Sequence, residues 1–293
     1  MTADTRSLRD RLFIALQHLL PQHLLSRALG LLATSRLQPL KDFLVRRFIA
    51  HFAVDMSEAA EPDPAVYPHF NAFFTRALRE GARPLDGAAD ALVSPADGAV
   101  SQLGAIDDGR IFQAKGHWFS AAELLADADD ARLFENGAFA NIYLSPRDYH
   151  RVHMPLGAEL RKLRYVPGRL FSVNQVTAAS VPGLFARNER LVCLFDTAHG
   201  PLAMVLVGAM VVAGIETVWT GAIAPAGRQV LTLDYAADRA ARTLAKGAEM
   251  GRFQLGSTVI LLLPRGVLEW DAALAAGSPL RMGQRIGQLL AAG

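Results

Sequence analysis

A chain of 293 residues can hold one large domain or two small ones with a real core. Hydrophobic residues at 51% and charged residues at 20% exclude a disordered chain, and a formal net charge of +2 excludes a protein that is strongly basic or acidic as a whole. The charge is unevenly spread, however: residues 1–50 hold eight Arg or Lys against three Asp, a net +5 that leaves −3 for the remainder.

In chain order, Leu8, Leu12, Leu16 and Leu19 recur at helical spacing, which predicts a helix over 7–20. Pro21 can end that helix and begin a second, and Pro39 opens a third. In the third, Leu40, Phe43, Leu44, Phe48 and Phe52 make one face and Lys41, Asp42, Arg46 and Arg47 the other. This basic, amphipathic arm suits an anionic membrane surface better than nucleic acid, because apolar residues are interleaved with the charges. The same pattern also suits a helical layer packed on the protein's own core. The linker Glu61-Pro62-Asp63-Pro64 leads to a short aromatic helix around Phe70–Arg76, closed by Gly81 and Pro84.

From about residue 90 short apolar runs alternate with Gly, Pro and Asp turns. They span Ala91–Val93, Gly98–Leu103, Arg110–Gln113, Ala138–Leu144, Gly157–Tyr165, Arg190–Asp196, Leu202–Val212, Gly214–Ala222 and Val259–Leu263, with Ile286–Leu290 as a further strand. One helix is expected near Ser120–Asp127. The fold class expected is α+β: a mostly antiparallel β core with an N-terminal amphipathic helical region. Residues 1–60 form that region and 61–293 the catalytic part. The longest uncharged window, Thr197–Ile215, contains Gly200, Pro201, Gly208 and Gly214, so it reads as a turn and a buried strand paired with Leu191–Phe195, not as a membrane span. The start of the chain lacks the pattern of a signal peptide. Cys193, the single cysteine, lies in an apolar run; it excludes an intrachain disulfide and fits the cytosol or a cytosolic membrane face.

Three places concentrate reactive groups. Ser94-Pro95-Ala96-Asp97-Gly98 carries an acid in a turn. Tyr149-His150-Arg151-Val152-His153-Met154-Pro155 carries two histidines three apart; no acidic or cysteine ligand stands at a typical metal spacing, so acid–base work is expected and a metal is not. Near the C-terminus, Gly256-Ser257 sets a hydroxyl beside an open glycine carbonyl, ahead of the apolar run Val259–Leu263. Acid, imidazole and hydroxyl in this order follow triad logic. The Gly-x-Ser-x-Gly elbow of serine hydrolases is absent around Ser257, so the nearest electrophile is the chain itself. Three readings stay open on residues alone. A self-cleaving enzyme predicts a chain cut at Gly256/Ser257. A serine hydrolase predicts an uncut chain labelled by phosphonates. A non-enzymatic membrane-surface domain predicts an uncut chain that tolerates Ser257→Ala.

These motifs together resemble those of the bacterial phosphatidylserine decarboxylases, pyruvoyl-dependent, membrane-associated enzymes of phosphatidylethanolamine synthesis. The resemblance runs through Phe70-Asn71-Ala72-Phe73-Phe74-Thr75-Arg76, Arg83-Pro84, Pro95-Ala96-Asp97-Gly98 and Tyr149–Pro155. It continues through Val166-Pro167-Gly168, Leu184–Arg190, Gly214–Trp219 and Lys246-Gly247, ending with Glu249-Met250-Gly251 and Leu255-Gly256-Ser257-Thr258. Residues 223–245 and the C-terminal end carry little of it.

The resemblance implies that Asp97, His153 and Ser257 are the self-processing triad and that cleavage falls between Gly256 and Ser257. It implies a β chain of 1–256 and an α chain of 257–293, held as a heterodimer, alone or within a higher oligomer. Ser257 then becomes a covalent pyruvoyl group, the cofactor that condenses with the substrate amine and accepts electrons as CO₂ leaves. His150 matches the histidine associated with substrate and decarboxylation; which histidine serves which step is left open, with His153 favoured for processing. The implied partner is phosphatidylserine in the membrane, with no nucleic acid, and the implied location is peripheral on the cytoplasmic face of the inner membrane. Arg147, Arg151, Arg161, Lys162 and Arg164 are candidates for holding the phosphate. Leu8, Leu12, Phe13, Leu16, Phe43, Phe48 and Phe52 are candidates for docking on the bilayer.

Overall fold

The computed structural model describes residues 7–210, 214–224, 227–235, 242–254 and 257–290. Three helices come first, α1 (Leu8–Leu19), α2 (Gln22–Ala33) and α3 (Gln38–Phe52), followed by a one-turn helix α4 (Phe70–Phe74). Strands β1 (Ala91–Val93), β2 (Gly98–Ala105), β3 (Arg110–Ala114) and β4 (His117–Ser120) lead to α5 (Ala121–Leu125) and α6 (Ala128–Arg132). Then come β5 (Ala138–Leu144), β6 (Arg151–His153), β7 (Ala158–Val166), α7 (Gln175–Ala178), α8 (Leu184–Arg187), β8 (Arg190–Thr197) and β9 (Gly200–Gly208). The remaining strands are β10 (Ile215–Thr217), β11 (Gly221–Ala224), β12 (Leu231–Asp234), β13 (Thr243–Leu244), β14 (Glu249–Phe253), β15 (Ser257–Leu263), β16 (Leu268–Trp270), β17 (Pro279–Leu280) and β18 (Arg285–Leu289). The α+β class expected from the sequence holds.

The main sheet runs β12-β7-β8-β9-β15-β5-β2-β17, with β13 also on β7, and its neighbours pair antiparallel. β15 lies at its centre and every residue of it is buried. Strand alternation explains why the run Val259–Leu263 is continuously apolar. Val259, Leu261 and Leu263 enter one core with Ile142, Met204 and Phe253; Ile260 and Leu262 enter a second with Phe139, Val205 and Phe185. Each such side chain contributes on the order of 2 kcal/mol by leaving water. A second sheet, β11-β10-β14-β6, supplies Val152, Met250 and Phe253 to the first core and so packs over that face. The β8–β9 hairpin forms as expected. The single strand expected at Gly214–Ala222 is instead two, β10 and β11, because Thr217 and Thr220 bond to each other and close a turn.

The N-terminal helices form by ordinary capping: Ser7 and Asp10 make a capping box on α1, and Ala53 in the left-handed region ends α3. Their orientation is inverted. In α1 the buried residue is Gln17, whereas Leu8 and Leu19 are 82% and 81% exposed. Gln17 Oε1 accepts from the Ser172 N–H at 2.7 Å, and Gln22 Oε1 accepts from the Leu170 N–H at 2.8 Å. Polar side chains thus fasten α1 and α2 to the β domain while leucines face outward. The face expected on α3 divides. Phe48 and Phe52 pack inward, Phe48 lying 5.1 Å from Phe70 between ring centres, but Phe43 is exposed and Lys41 is buried on the Ala65 carbonyl.

Candidate active site

Ser257 is the first residue of β15, and its Cα pairs with Leu144 of β5 on one side and Gly208 of β9 on the other. It is fully buried, and its Oγ has no hydrogen-bond partner among the described residues. By alternation it shares the face of Val259 and Leu261, over which the second sheet packs. Gly256, the other half of the expected cleavage site, lies outside the described residues.

His150 precedes β6 and His153 is its last residue, and the register with β14 separates them. The His150 carbonyl accepts from the Phe253 N–H at 3.0 Å, so His150 sits at the end of β14 that leads to Gln254 and Ser257. His153 pairs with Glu249 at the opposite end. His150 is completely buried against Phe74, with ring centres 4.1 Å apart. Its Nδ1 lies 2.8 Å from the Asp148 carbonyl, which can only accept, so the proton is on Nδ1 and Nε2 carries the lone pair. That Nε2 is buried without a partner among the described residues. Burial pushes the His150 pKa down to about 3, so the ring is neutral near pH 7.

His153 is more engaged. Its Nδ1 faces the Gly247 carbonyl at 2.8 Å, so Nε2 accepts the Tyr149 hydroxyl proton at 3.0 Å. Burial lowers the His153 pKa and pushes that of Tyr149 up to about 12. Asp97 is held elsewhere: Arg83 Nε donates to both carboxylate oxygens, at 2.8 and 3.0 Å, and the Met282 N–H donates at 2.9 Å. Arg83 also reaches Glu58 at 2.7 Å. The His153 N–H donates to the Pro95 carbonyl at 2.8 Å, which ties β6 to the turn carrying Asp97. The structure therefore ties His153 to Tyr149 and to the turn carrying Asp97, and places His150 at the Phe253 end of β14, the end that leads to Ser257 in sequence. Among the described residues no hydrogen bond joins Asp97 to His153, or either histidine to Ser257.

Four of the five cations singled out in the sequence are committed to internal pairs. Arg151 meets Glu249 at 2.8 Å, Lys162 meets Asp130 at 2.9 Å, Arg164 meets Asp127 and Asp130 at 2.7 and 2.8 Å, and Arg161 lies 3.6 Å from Asp196. The side chain of Arg147 is largely exposed. Sequence reasoning gave no role to Tyr149, Arg83 or Asn71, although all three stand inside or beside the motifs. A cavity of 420 Å³ under α2 is lined by Asn71 at its inner wall and by Gln254, three residues before Ser257.

A family model described as phosphatidylserine decarboxylase matches residues 70–288, and a second, described as PSD, matches residues 12–53. The chain is 59% identical over 285 residues to the phosphatidylserine decarboxylase proenzyme of Stutzerimonas stutzeri (strain A1501), covering 96% of this chain and 95% of that one. It is 59% identical over 285 residues to the proenzyme of the same name from Azotobacter vinelandii (strain DJ / ATCC BAA-1303), covering 96% and 99% of the two. It is 56% identical over 281 residues to that of Bordetella avium (strain 197N), covering 96% and 95%. With the motifs spread over both sheets and more than half of the chain matched, this protein belongs to the phosphatidylserine decarboxylase family.

Proposed function

We propose that the protein decarboxylates phosphatidylserine to phosphatidylethanolamine and CO₂, using a pyruvoyl group that it makes from its own Ser257. The observation that carries this reading is the hydroxyl of Ser257, buried without a partner among the described residues at the first position of the central strand. An unsatisfied buried hydroxyl costs about 1–3 kcal/mol, and a purely structural strand position would be better filled by alanine. A serine there, after Gly256, suits self-processing. Ser257 Oγ attacks the Gly256 carbonyl carbon; the C–N bond breaks, an ester forms, and the hydroxyl proton passes to the Ser257 nitrogen, which becomes an amine. Loss of the Ser257 α-proton and of the Gly256 carboxylate leaves a dehydroalanine, which water converts to pyruvoyl with release of ammonia. Once formed, that group supplies the electron sink for loss of CO₂ from an α-amino acid.

The chain's own side chains take distinct parts. His150, neutral with its Nε2 unpartnered among the described residues and at the end of β14 that leads to Ser257, accepts a hydrogen bond from the substrate amino group and orients it. His153, linked through Pro95 to the Asp97 turn, serves processing, which requires Nε2 to exchange the Tyr149 hydroxyl for that of Ser257. Cleavage does not release the α chain, because β15 is paired on both sides, β17 lies on β2 and β18 lies on β1. The outward leucines of α1 and α2, with Arg9, Arg11 and Arg27 among them, suit peripheral docking on the anionic cytoplasmic face of the inner membrane. No helix of the described residues is long and apolar enough to cross a membrane.

Intact mass under denaturing conditions tests the core of the proposal. Wild-type protein is expected as two fragments divided at Gly256/Ser257, the small one reactive to carbonyl reagents, and Ser257→Ala as one chain. A single wild-type chain that is folded and active on phosphatidylserine removes the pyruvoyl mechanism. Sedimentation with anionic vesicles tests docking: Leu8→Glu with Leu24→Glu, both at exposed positions, is expected to weaken it without loss of fold, and unchanged binding refutes docking through this face.

A further inference from the structure

α2 forms the wall between two cavities. His23, Arg27, Gly30, Leu31 and Thr34 line a 420 Å³ cavity from α2, facing Leu170 and the buried Glu189, and most of its wall is apolar. Leu29, Leu32 and Ala33, an adjacent stripe, line a 470 Å³ groove whose other wall is Phe48, Phe52 and Phe70. Consecutive residues of α4 line the two spaces, Phe70 the groove and Asn71 the 420 Å³ cavity. Asn71 is only 5% exposed, yet neither its Nδ2 nor its Oδ1 has a partner among the described residues. A carboxamide with both ends unsatisfied at a cavity wall is poised for a ligand carrying matching polar groups. Two exposed basic residues, His23 and Arg27, stand at the mouth, and Gln254 brings the cavity to the approach to Ser257.

Resting on the reading that the chain acts on phosphatidylserine, we propose that the 420 Å³ cavity holds the phosphoserine headgroup, that Asn71 is the residue that recognises its amino-acid end, and that the groove across α2 takes an acyl chain. Asn71 Nδ2 donates to the headgroup carboxylate at the inner wall, and Arg27 meets the phosphodiester at the mouth. After CO₂ leaves, the ethanolamine head no longer offers that carboxylate, so the amide loses its partner and the product is held less tightly. The groove fits an acyl chain because it is apolar and continuous with the outward leucine face through α2, with Arg47 and His51 at its edge.

The test uses full-length protein, soluble short-chain phosphatidylserine and CO₂ release, with cleavage followed in parallel by mass. Asn71→Ala and Arg27→Glu are expected to cleave fully and to raise KM by about tenfold or more. Leu32→Glu is expected to raise KM more for dioctanoyl than for dihexanoyl lipid. Should Asn71→Ala fail to fold, Arg27→Glu, at an exposed position, decides alone. Wild-type protein that cleaves but releases no CO₂ refutes the functional reading and this inference with it. An active wild type with unchanged KM in the Asn71 and Arg27 variants refutes this inference alone, and equal effects of Leu32→Glu on both lipids refute the acyl-chain placement.

Discussion

Lowering the pH should destabilise the fold through His150 in a measurable and separable way. The ring is fully buried, its Nε2 has no partner among the described residues and its Nδ1 proton is given to the Asp148 carbonyl, so the protonated form has no acceptor there for its second proton. Burial, with the nearby Arg76 charge adding to it, takes the pKa to about 3 against an ordinary 6.5. Above pH 6.5 neither the folded nor the unfolded state is protonated at this residue, and it adds no pH dependence. Between pH 6.5 and about 3 only the unfolded chain takes up the proton, so stability falls as pH falls, by about 1.4 kcal/mol per unit. From pH 7 to pH 4.5 that amounts to about 3 kcal/mol. Carboxylates titrate over the same range, so the comparison is with His150→Asn, which keeps a donor for the Asp148 carbonyl but has no proton to gain. Both proteins carry Ser257→Ala to keep a single chain. Urea unfolding at the two pH values should show the protein that retains His150 losing about 3 kcal/mol more than the His150→Asn variant. An equal loss in both, or a His150 imidazole resonance titrating near the ordinary 6.5, would refute the reasoning.

Tyr149→Phe frees His153 Nε2 and should leave self-cleavage as fast as wild type or faster; a large loss of cleavage by mass would show instead that the hydroxyl takes part in it. Gly98→Ala places a Cβ 2.3 Å from the Tyr143 carbonyl oxygen at a φ of +155°, and should cost roughly 3 kcal/mol and displace the neighbouring Asp97, read as a lower unfolding midpoint and slowed cleavage. Arg83→Met strips the buried Asp97 of its main cation and should cost about 3–5 kcal/mol, whereas Glu58→Gln, which leaves the Asp97 pair intact, should cost far less. Equal destabilisation by the two would show that Asp97 does not depend on Arg83.

Much of the fold is legible in the sequence because alternation and turn residues are local signals. The run Ala138–Leu144 reads as a strand and is one to the residue, and Pro21 and Pro39 punctuate the helical arm where expected, whereas the short aromatic helix ends at Phe74, well before the Gly81 expected to close it. β14 is not legible: Glu-Met-Gly-Arg-Phe has little β-branched character, and it becomes a strand only because β6 and β10 flank it on both sides. The short strands β13, β16 and β17 form for the same reason, by pairing with partners distant in sequence. The orientation of α1 is equally hidden. Periodicity shows a leucine stripe but not which way it faces, and here Gln17 and Gln22, bonded to the backbone of Ser172 and Leu170, turn the stripe outward.

The site shows the same division between chemistry and geometry. Residue types pick out Asp97, the two histidines and Ser257, because acids in turns, paired imidazoles and a hydroxyl after glycine each carry a chemical signature. Their connections depend on register, which no spacing reveals. His150 and His153 are three positions apart, enough for β6 to run antiparallel to β14 and carry the two residues to opposite ends of that strand. The ring whose Nε2 has no partner among the described residues is the one at the Phe253 end of β14, and the ring tied to the Asp97 turn accepts from a tyrosine. His150 stays neutral there, while Asp97, in the turn tied to His153, is held by Arg83, which also reaches Glu58. Under the proposed function the chain has two tasks at one residue, its own cleavage and then turnover. On that proposal two histidines at opposite ends of β14 divide the tasks, so that neither serves both.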